Sequence, residues 1–140
     1  PALPPVAAHH AKVVAANMIH GNSERPNYLG VPSAAFTIPP IATVGLSEQQ
    51  AQERKLKFRV SVAKASDWYT ARRVAEPTYG YKVLIEEDTE HILGASLVGP
   101  HADEVINVFG FAIRNGLGAA ALKDAIFAYP TGASDIGYML

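Results

Sequence analysis

The side chains best suited to proton transfer or metal ligation are five histidines, His9, His10, His20, His91 and His101, and no cysteine accompanies them. His9 and His10 are adjacent, so a helix turns them to different sides, and no ligand spacing recurs elsewhere; no metal site is expected. Without cysteine, neither a structural disulfide nor a thiol redox centre resides in this chain. Ser47, Ser66, Ser96 and Ser134 sit in no recognisable nucleophile elbow, which leaves a hydrolase nothing to start from. Glu86, Glu87, Asp88 and Glu90 crowd one short stretch and read as a solvated turn rather than as paired acids. A self-sufficient small enzyme using Tyr129 with Asp135 is one alternative reading. A phenol with a reference pKa of about 10 is a poor base at neutral pH, though it can donate a proton or a hydrogen bond.

The 11 glycines never form G-x-G-x-x-G after a strand, so the chain is not expected to bind a dinucleotide alone. The net charge is -1 and an isolated pair such as Arg72 with Arg73 makes no basic stripe, which weakens the electrostatic case for nucleic acid. Residues 105–113, among the longest apolar stretches, are interrupted by Asn107 and too short for a membrane span, and the N-terminus lacks a basic segment followed by an apolar run. These features predict a soluble, cytoplasmic protein. At 140 residues, with 49% hydrophobic and 18% charged, the chain has the material for one packed core and some apolar surface to spare for a partner. It begins at Pro1, consistent with a piece of something longer.

The elements that would position these groups follow from periodicity. Pro4 and Pro5 suit a helical first turn, and Val6, His10, Val13, Val14 and Met18 continue at three-and-four spacing until Gly21 and Asn22 end the helix. Residues 23–32 are polar with Pro and Gly and read as a linker. Two short strands, 34–38 and 41–45, flank Pro39 and Pro40, and Ser47 with Gln50 makes a capping box for a helix to about Arg54. Phe58, Val60 and Val62 alternate with polar residues, predicting a strand that buries their face. Residues 67–73 form a helical turn carrying Trp68.

A hairpin follows, with Tyr79, Tyr81, Val83 and Ile85 on one face, a turn over 87–90, and Leu93, Ala95 and Leu97 on one face of the return strand. Asp103 or a neighbour caps a helix with an acidic first turn and a stripe of Val105, Ile106, Phe109 and Ile113, closed by Arg114 and Gly116. Residues 119–125 and 134–140 are shorter helices. Strands first and helices last predict an α+β fold, an antiparallel sheet with helices packed on one side. Ahead of it stands a detached N-terminal helix. The expected division is therefore 1–22 as the terminal helix of a truncated domain, 23–32 as linker and 33–140 as the main domain.

The runs TVGLSE at 43–48, GASLVGPHADE at 94–104 and AYPT at 128–131 together resemble the C-terminal dimerisation domain shared by glutathione reductase and dihydrolipoamide dehydrogenase, FAD-dependent pyridine-nucleotide disulfide oxidoreductases. LPPVA at 3–7 is similar to the segment that closes the FAD domain of that family. The resemblance implies a homodimer and a parent using FAD and NAD(P)H, with no cofactor or small-molecule substrate held by this chain alone. It makes Pro4, Pro5 and Val6 flavin-facing, and brings Tyr129 and Pro130 to the partner subunit's flavin. Family members that reduce disulfides carry a His where Tyr129 stands, which relays a proton to the cysteine pair, and a Glu where Ser134 stands, which orients that His. Both places have changed here, with Asp135 one position later. Either the parent reduces something other than a disulfide, such as a quinone, or the Tyr129 ring walls the flavin site. The helix over 103–115, with Phe109 and Phe111 on different faces, is expected to serve core and interface, so that Phe109→Asp would favour the monomer. A stand-alone peptide-binding module, accepting a strand at an open sheet edge, is the further alternative.

Overall fold

The computed structural model describes residues 3–140; Pro1 and Ala2, the first two residues of the expected terminal helix segment, lie outside the described residues. Helix α1 (Pro4–His20) is followed by β1 (Ser33–Ala35), β2 (Ile41–Gly45), α2 (Glu48–Glu53), β3 (Phe58–Lys64) and α3 (Tyr69–Arg72). Then come the hairpin β4 (Gly80–Glu86) and β5 (Ile92–Val98), α4 (Ala102–Asn115), α5 (Ala119–Asp124) and a 3-10 segment (Gly132–Tyr138). The five strands form one sheet in the order β1-β2-β5-β4-β3, every neighbour antiparallel. Helix α4 lies along β5 and β2, and the 3-10 segment packs on α4 and α5, which is the expected α+β architecture.

The core sits between the sheet and α4. Val44, Val83, Ile85 and Leu97 meet Val105, Ile106, Phe109 and Ile113, with Ile136 and Met139 closing the end. Each large apolar side chain so buried contributes roughly 1.5–3 kcal/mol relative to exposure. The face of the sheet away from α4 is open at Ile41 and Val62, 45% and 60% exposed, although Leu84 is buried on that face.

That asymmetry corrects one expectation. Phe58, Val60 and Val62 do alternate, but Ser61 pairs with Val83, so the edge strand turns residues 59, 61 and 63 toward α4 and its valines outward. Alternation reveals that a strand has two faces without saying which one is covered. A second correction concerns β5. Its ladder with β4 shifts register between Leu84 and Ile85, so that Leu84 opposes Gly94 while Ile85 opposes Ile92. Leu93 is the extra residue of this bulge, and Ile92 takes the core place. The Leu93 carbonyl accepts a 2.9 Å hydrogen bond from Leu46 N–H. This crossing needs glycine on both sides: Gly45 has φ 74°, and a β-carbon at Gly94 would come within 2.9 Å of Leu46 N.

The first strand is shorter than expected. It ends at Ala35, and Phe36 and Ile38 project from a loop at 84% and 99% exposure, ahead of a cis Ile38–Pro39 bond. Proline supplies no ladder donor, and Thr37 Oγ1 donates to the Pro39 carbonyl instead, at 2.7 Å. The capping box at Ser47 and Gln50 is present. At α4 the cap is His101, in the left-handed region, rather than Asp103, which occupies the first turn with Glu104. Two of the four carboxylates of the β4–β5 turn have side-chain partners, Glu86 in Thr89 and Glu90 in Arg59 at 2.5 Å. The last expected helix is a 3-10 segment.

Helix α1 stands apart from the sheet, and Val6 is its one buried residue. Three polar contacts hold it to the linker. His9 Nε2 accepts from Asn27 N–H at 3.0 Å, His10 Nε2 lies 2.7 Å from Tyr28 Oη, and Asn17 exchanges two bonds with the Glu24 backbone. Met18 and Ile19 are 83% and 74% exposed, so much of its expected apolar stripe meets nothing in this chain.

Candidate functional site

The chemistry-bearing tail is organised by a second capping box, one that the sequence reading did not single out. Thr131 Oγ1 accepts from Ser134 N–H, Ser134 Oγ accepts from Thr131 N–H, and both hydroxyls also donate to backbone carbonyls at 2.6 Å. Ser134 is therefore occupied in shaping the turn, and its side chain bonds Thr131 and not Tyr129. The ring of Tyr129, ahead of a cis bond to Pro130, is 78% exposed and stacks on Tyr69 of α3 with centroids 6.4 Å apart. Beside it Ile126 is wholly exposed, and a groove of about 530 Å³ runs between Leu122, Ile126, Phe127, Tyr129 and Tyr138.

Asp135 points the other way. It is 8% exposed and its Oδ2 accepts a 2.9 Å hydrogen bond from Tyr79 Oη. Burial, and then the Asp135 charge and hydrogen bond, push the Tyr79 phenol far above its ordinary range. Tyr129 and Asp135 are thus not brought together, and a small enzyme built on that pair loses its geometry. Trp68 joins the inward cluster, its ring 5.6 to 5.9 Å from those of Tyr79, Tyr81 and Tyr138. The sequence reading placed Tyr79 and Tyr81 correctly on one strand face but gave no sign of their link to the tail.

At the other end of the chain, Pro4 and Pro5 are exposed and Val6 is turned inward. The two prolines have no N–H, and the amides of Val6 and Ala7 both donate to the Leu3 carbonyl, at 3.0 and 3.1 Å. The first turn of α1 therefore offers the helix dipole but few free donors. The sheet is antiparallel throughout, and the described residues contain no parallel strand-helix-strand unit with a glycine turn.

The outer side of α4 is the other candidate surface. Phe109 is fully buried, whereas Phe111 is 63% exposed. Phe109 is thus core, which corrects the expectation that Phe109→Asp would report on an interface; Phe111 is the residue that faces out. Around it Glu104, Val108 and Asn115 follow at spacings of four and three, an outward stripe opposite the core stripe. Among the described residues, no helix is long and apolar enough to cross a membrane, and no three His, Asp or Glu residues converge as metal ligands.

The profile of the dimerisation domain of pyridine nucleotide-disulphide oxidoreductases matches residues 31–139. An uncharacterised 19.7 kDa protein of a mercuric resistance operon in Staphylococcus aureus is 47% identical over 138 residues, covering 99% of this chain and 77% of that protein. The dihydrolipoyl dehydrogenase of Chlamydia trachomatis is 36% identical over 124 residues, 89% of this chain but 27% of the enzyme. Among solved structures, the HOCl-induced flavoprotein disulfide reductase RclA of Escherichia coli superposes with a TM-score of 0.82 at 26% identity, over 91% of this chain and 30% of that one. The chain thus spans about a quarter to a third of the full-length enzymes it resembles. With residues 31–139 matched and the fold shared, the chain belongs to the family of pyridine nucleotide-disulphide oxidoreductase dimerisation domains.

Proposed function

We propose that this chain pairs with a second copy of itself through the outer face of α4, and that in an intact flavoprotein it presents its tail to the partner's flavin. The observation that carries the pairing is the apolar centre of that face, the exposed Phe111 beside the partly buried Val108, on a helix whose inner side is core. An antiparallel α4 pair about a two-fold near residues 109–110 sets Val108 against Phe111 of the other copy, and Glu104 against Asn115. The register is self-complementary, as a two-fold contact requires, and it places the acidic first turn beside a last turn carrying Arg114.

FAD and NAD(P)H belong to the upstream part of such a parent, and Pro4, Pro5, Tyr129 and Pro130 are the residues of this chain assigned to the flavin's surroundings, Val6 being buried within its own chain instead. When bound, the flavin would supply the hydride and electron chemistry; this chain supplies walls and a two-fold axis. A tail with Tyr129 and Ser134 in place of His and Glu favours an electron acceptor other than a disulfide. The operon named for the Staphylococcus relative makes divalent mercury the first acceptor to try, beside quinones.

Sedimentation of the chain over a dilution series, with a visible spectrum, tests the pairing. A colourless dimer is expected; a monomer at all concentrations would refute autonomous pairing, and bound flavin would refute the assignment of the cofactor to missing domains. In the intact parent, Tyr129→Phe is expected to leave turnover within about twofold if the ring acts as a wall. A loss of ten-fold or more would assign a proton to its hydroxyl.

A further inference from the structure

We infer that Tyr79 and Tyr81 are positioning residues that fix where the C-terminal tail, and with it Tyr129, sits on the domain. Tyr79 Oη donates to the Asp135 carboxylate at 2.9 Å, and Tyr81 Oη donates to the Tyr138 carbonyl at 3.2 Å. The inference rests on the proposed role of the tail in a partner's site.

The spacing explains why the tail is a 3-10 turn. Side chains two apart on a strand share one face and stand about 7 Å from each other. Residues three apart on a 3-10 helix eclipse one another and rise by about 6 Å, whereas on an α-helix they rise by about 4.5 Å and are turned out of line. The 3-10 winding of residues 132–138 sets the Asp135 carboxylate and the Tyr138 carbonyl at a spacing that Tyr79 and Tyr81 both reach. Trp68 fills the space between, against Tyr79, Tyr81 and Tyr138.

Tyr79 itself has little freedom. Its carbonyl accepts from Ala65 N–H at 2.8 Å, and Gly99 packs so closely that a β-carbon there would lie 3.1 Å from Tyr79 Cα. On the tail side Gly132 abuts Val105 and His101, where a β-carbon would lie 2.9 and 3.1 Å away. The Thr131 and Ser134 capping box then carries the register back to Pro130 and Tyr129. A charged acceptor buried at this point holds the tail by a bond that no neighbouring register could satisfy. Asp135, one place beyond Ser134, is turned into the sheet for this purpose.

Amide hydrogen exchange and the ring proton shifts of Tyr129, which report its stacking on Tyr69, test this in the full chain. Tyr79→Phe is expected to speed exchange at residues 131–140 roughly ten- to a hundred-fold and to move the Tyr129 ring shifts, with α4 and β5 amides little changed. Asp135→Asn, which still accepts from the Tyr79 hydroxyl, is expected to keep both near the parent values. Tyr81→Phe should give a smaller change confined to residues 136–140. Unchanged Tyr129 shifts in Tyr79→Phe, or exchange rising equally across α4 and the tail, would overturn the inference. These readouts are made on either monomer or dimer, so failure of the pairing proposal appears separately, in the mass.

Discussion

Replacing Phe111 by Asp should dissociate the dimer while leaving each subunit folded. The ring is 63% exposed, so on a side chain that presents about 200 Å² some 125 Å² is free to be covered by a partner. At about 25 cal/mol per Å² that is about 3 kcal/mol per ring if wholly covered, and the two-fold axis counts it twice. Halving the total for incomplete coverage leaves about 3 kcal/mol, or roughly a hundred-fold in Kd, before any cost of two carboxylates brought near each other and near Glu104. Sedimentation velocity from high micromolar to nanomolar concentration reads the shift directly. Far-ultraviolet circular dichroism and a urea melt establish that the monomer remains native, since the substituted ring contributes little to the core. A Phe111→Asp chain that is folded and dimerises with the parent's Kd would remove α4 from the interface and refute the antiparallel register.

Phe109→Ala should behave oppositely, destabilising the subunit by about 3–5 kcal/mol through the cavity left in the core, read as a lower urea midpoint; a change below 1 kcal/mol would mean that the sheet and α4 can close over the gap. Stability should fall above pH 10. The unfolded Tyr79 phenol ionises near pH 10, while burial and Asp135 keep the folded phenol protonated, so the unfolded state holds fewer protons and gains by up to about 1.4 kcal/mol per pH unit. Urea melts at pH 9 and 11 should show a steeper alkaline loss in the parent chain than in Tyr79→Phe, and equal slopes would count against a phenol held protonated by the fold.

Elements with a local signature were legible from sequence. The hairpin, the capping box at Ser47, the acidic first turn of α4 and its closing Gly116 all follow from short-range rules, and so did the α+β class. What was not legible depended on which neighbour a strand meets. The outward face of β3 was settled by its pairing with β4, and the exchange of Ile92 for Leu93 by a bulge whose trace in sequence is two glycines, Gly45 and Gly94. At the site, Tyr129 was recognised through the AYPT run, but the roles of Ser134 and Asp135 were not. A capping box is visible in the types Thr131 and Ser134, yet Ser at its last position is a weaker signal than Glu or Gln. The partner of Asp135 lies 56 positions away, beyond any local rule.

The way α1 is fastened has a consequence for handling the protein. A helix joined by a few exposed hydrogen bonds, with Val14, Met18 and Ile19 turned to water, costs little to lift from its own linker. In concentrated solution its open side offers a ready surface for reversible clustering that has nothing to do with the two-fold contact. Colloidal behaviour should therefore be governed by residues 3–20 and folding by the sheet and α4. Polar replacements at Met18 and Ile19 would then raise the solubility limit without touching the melting temperature.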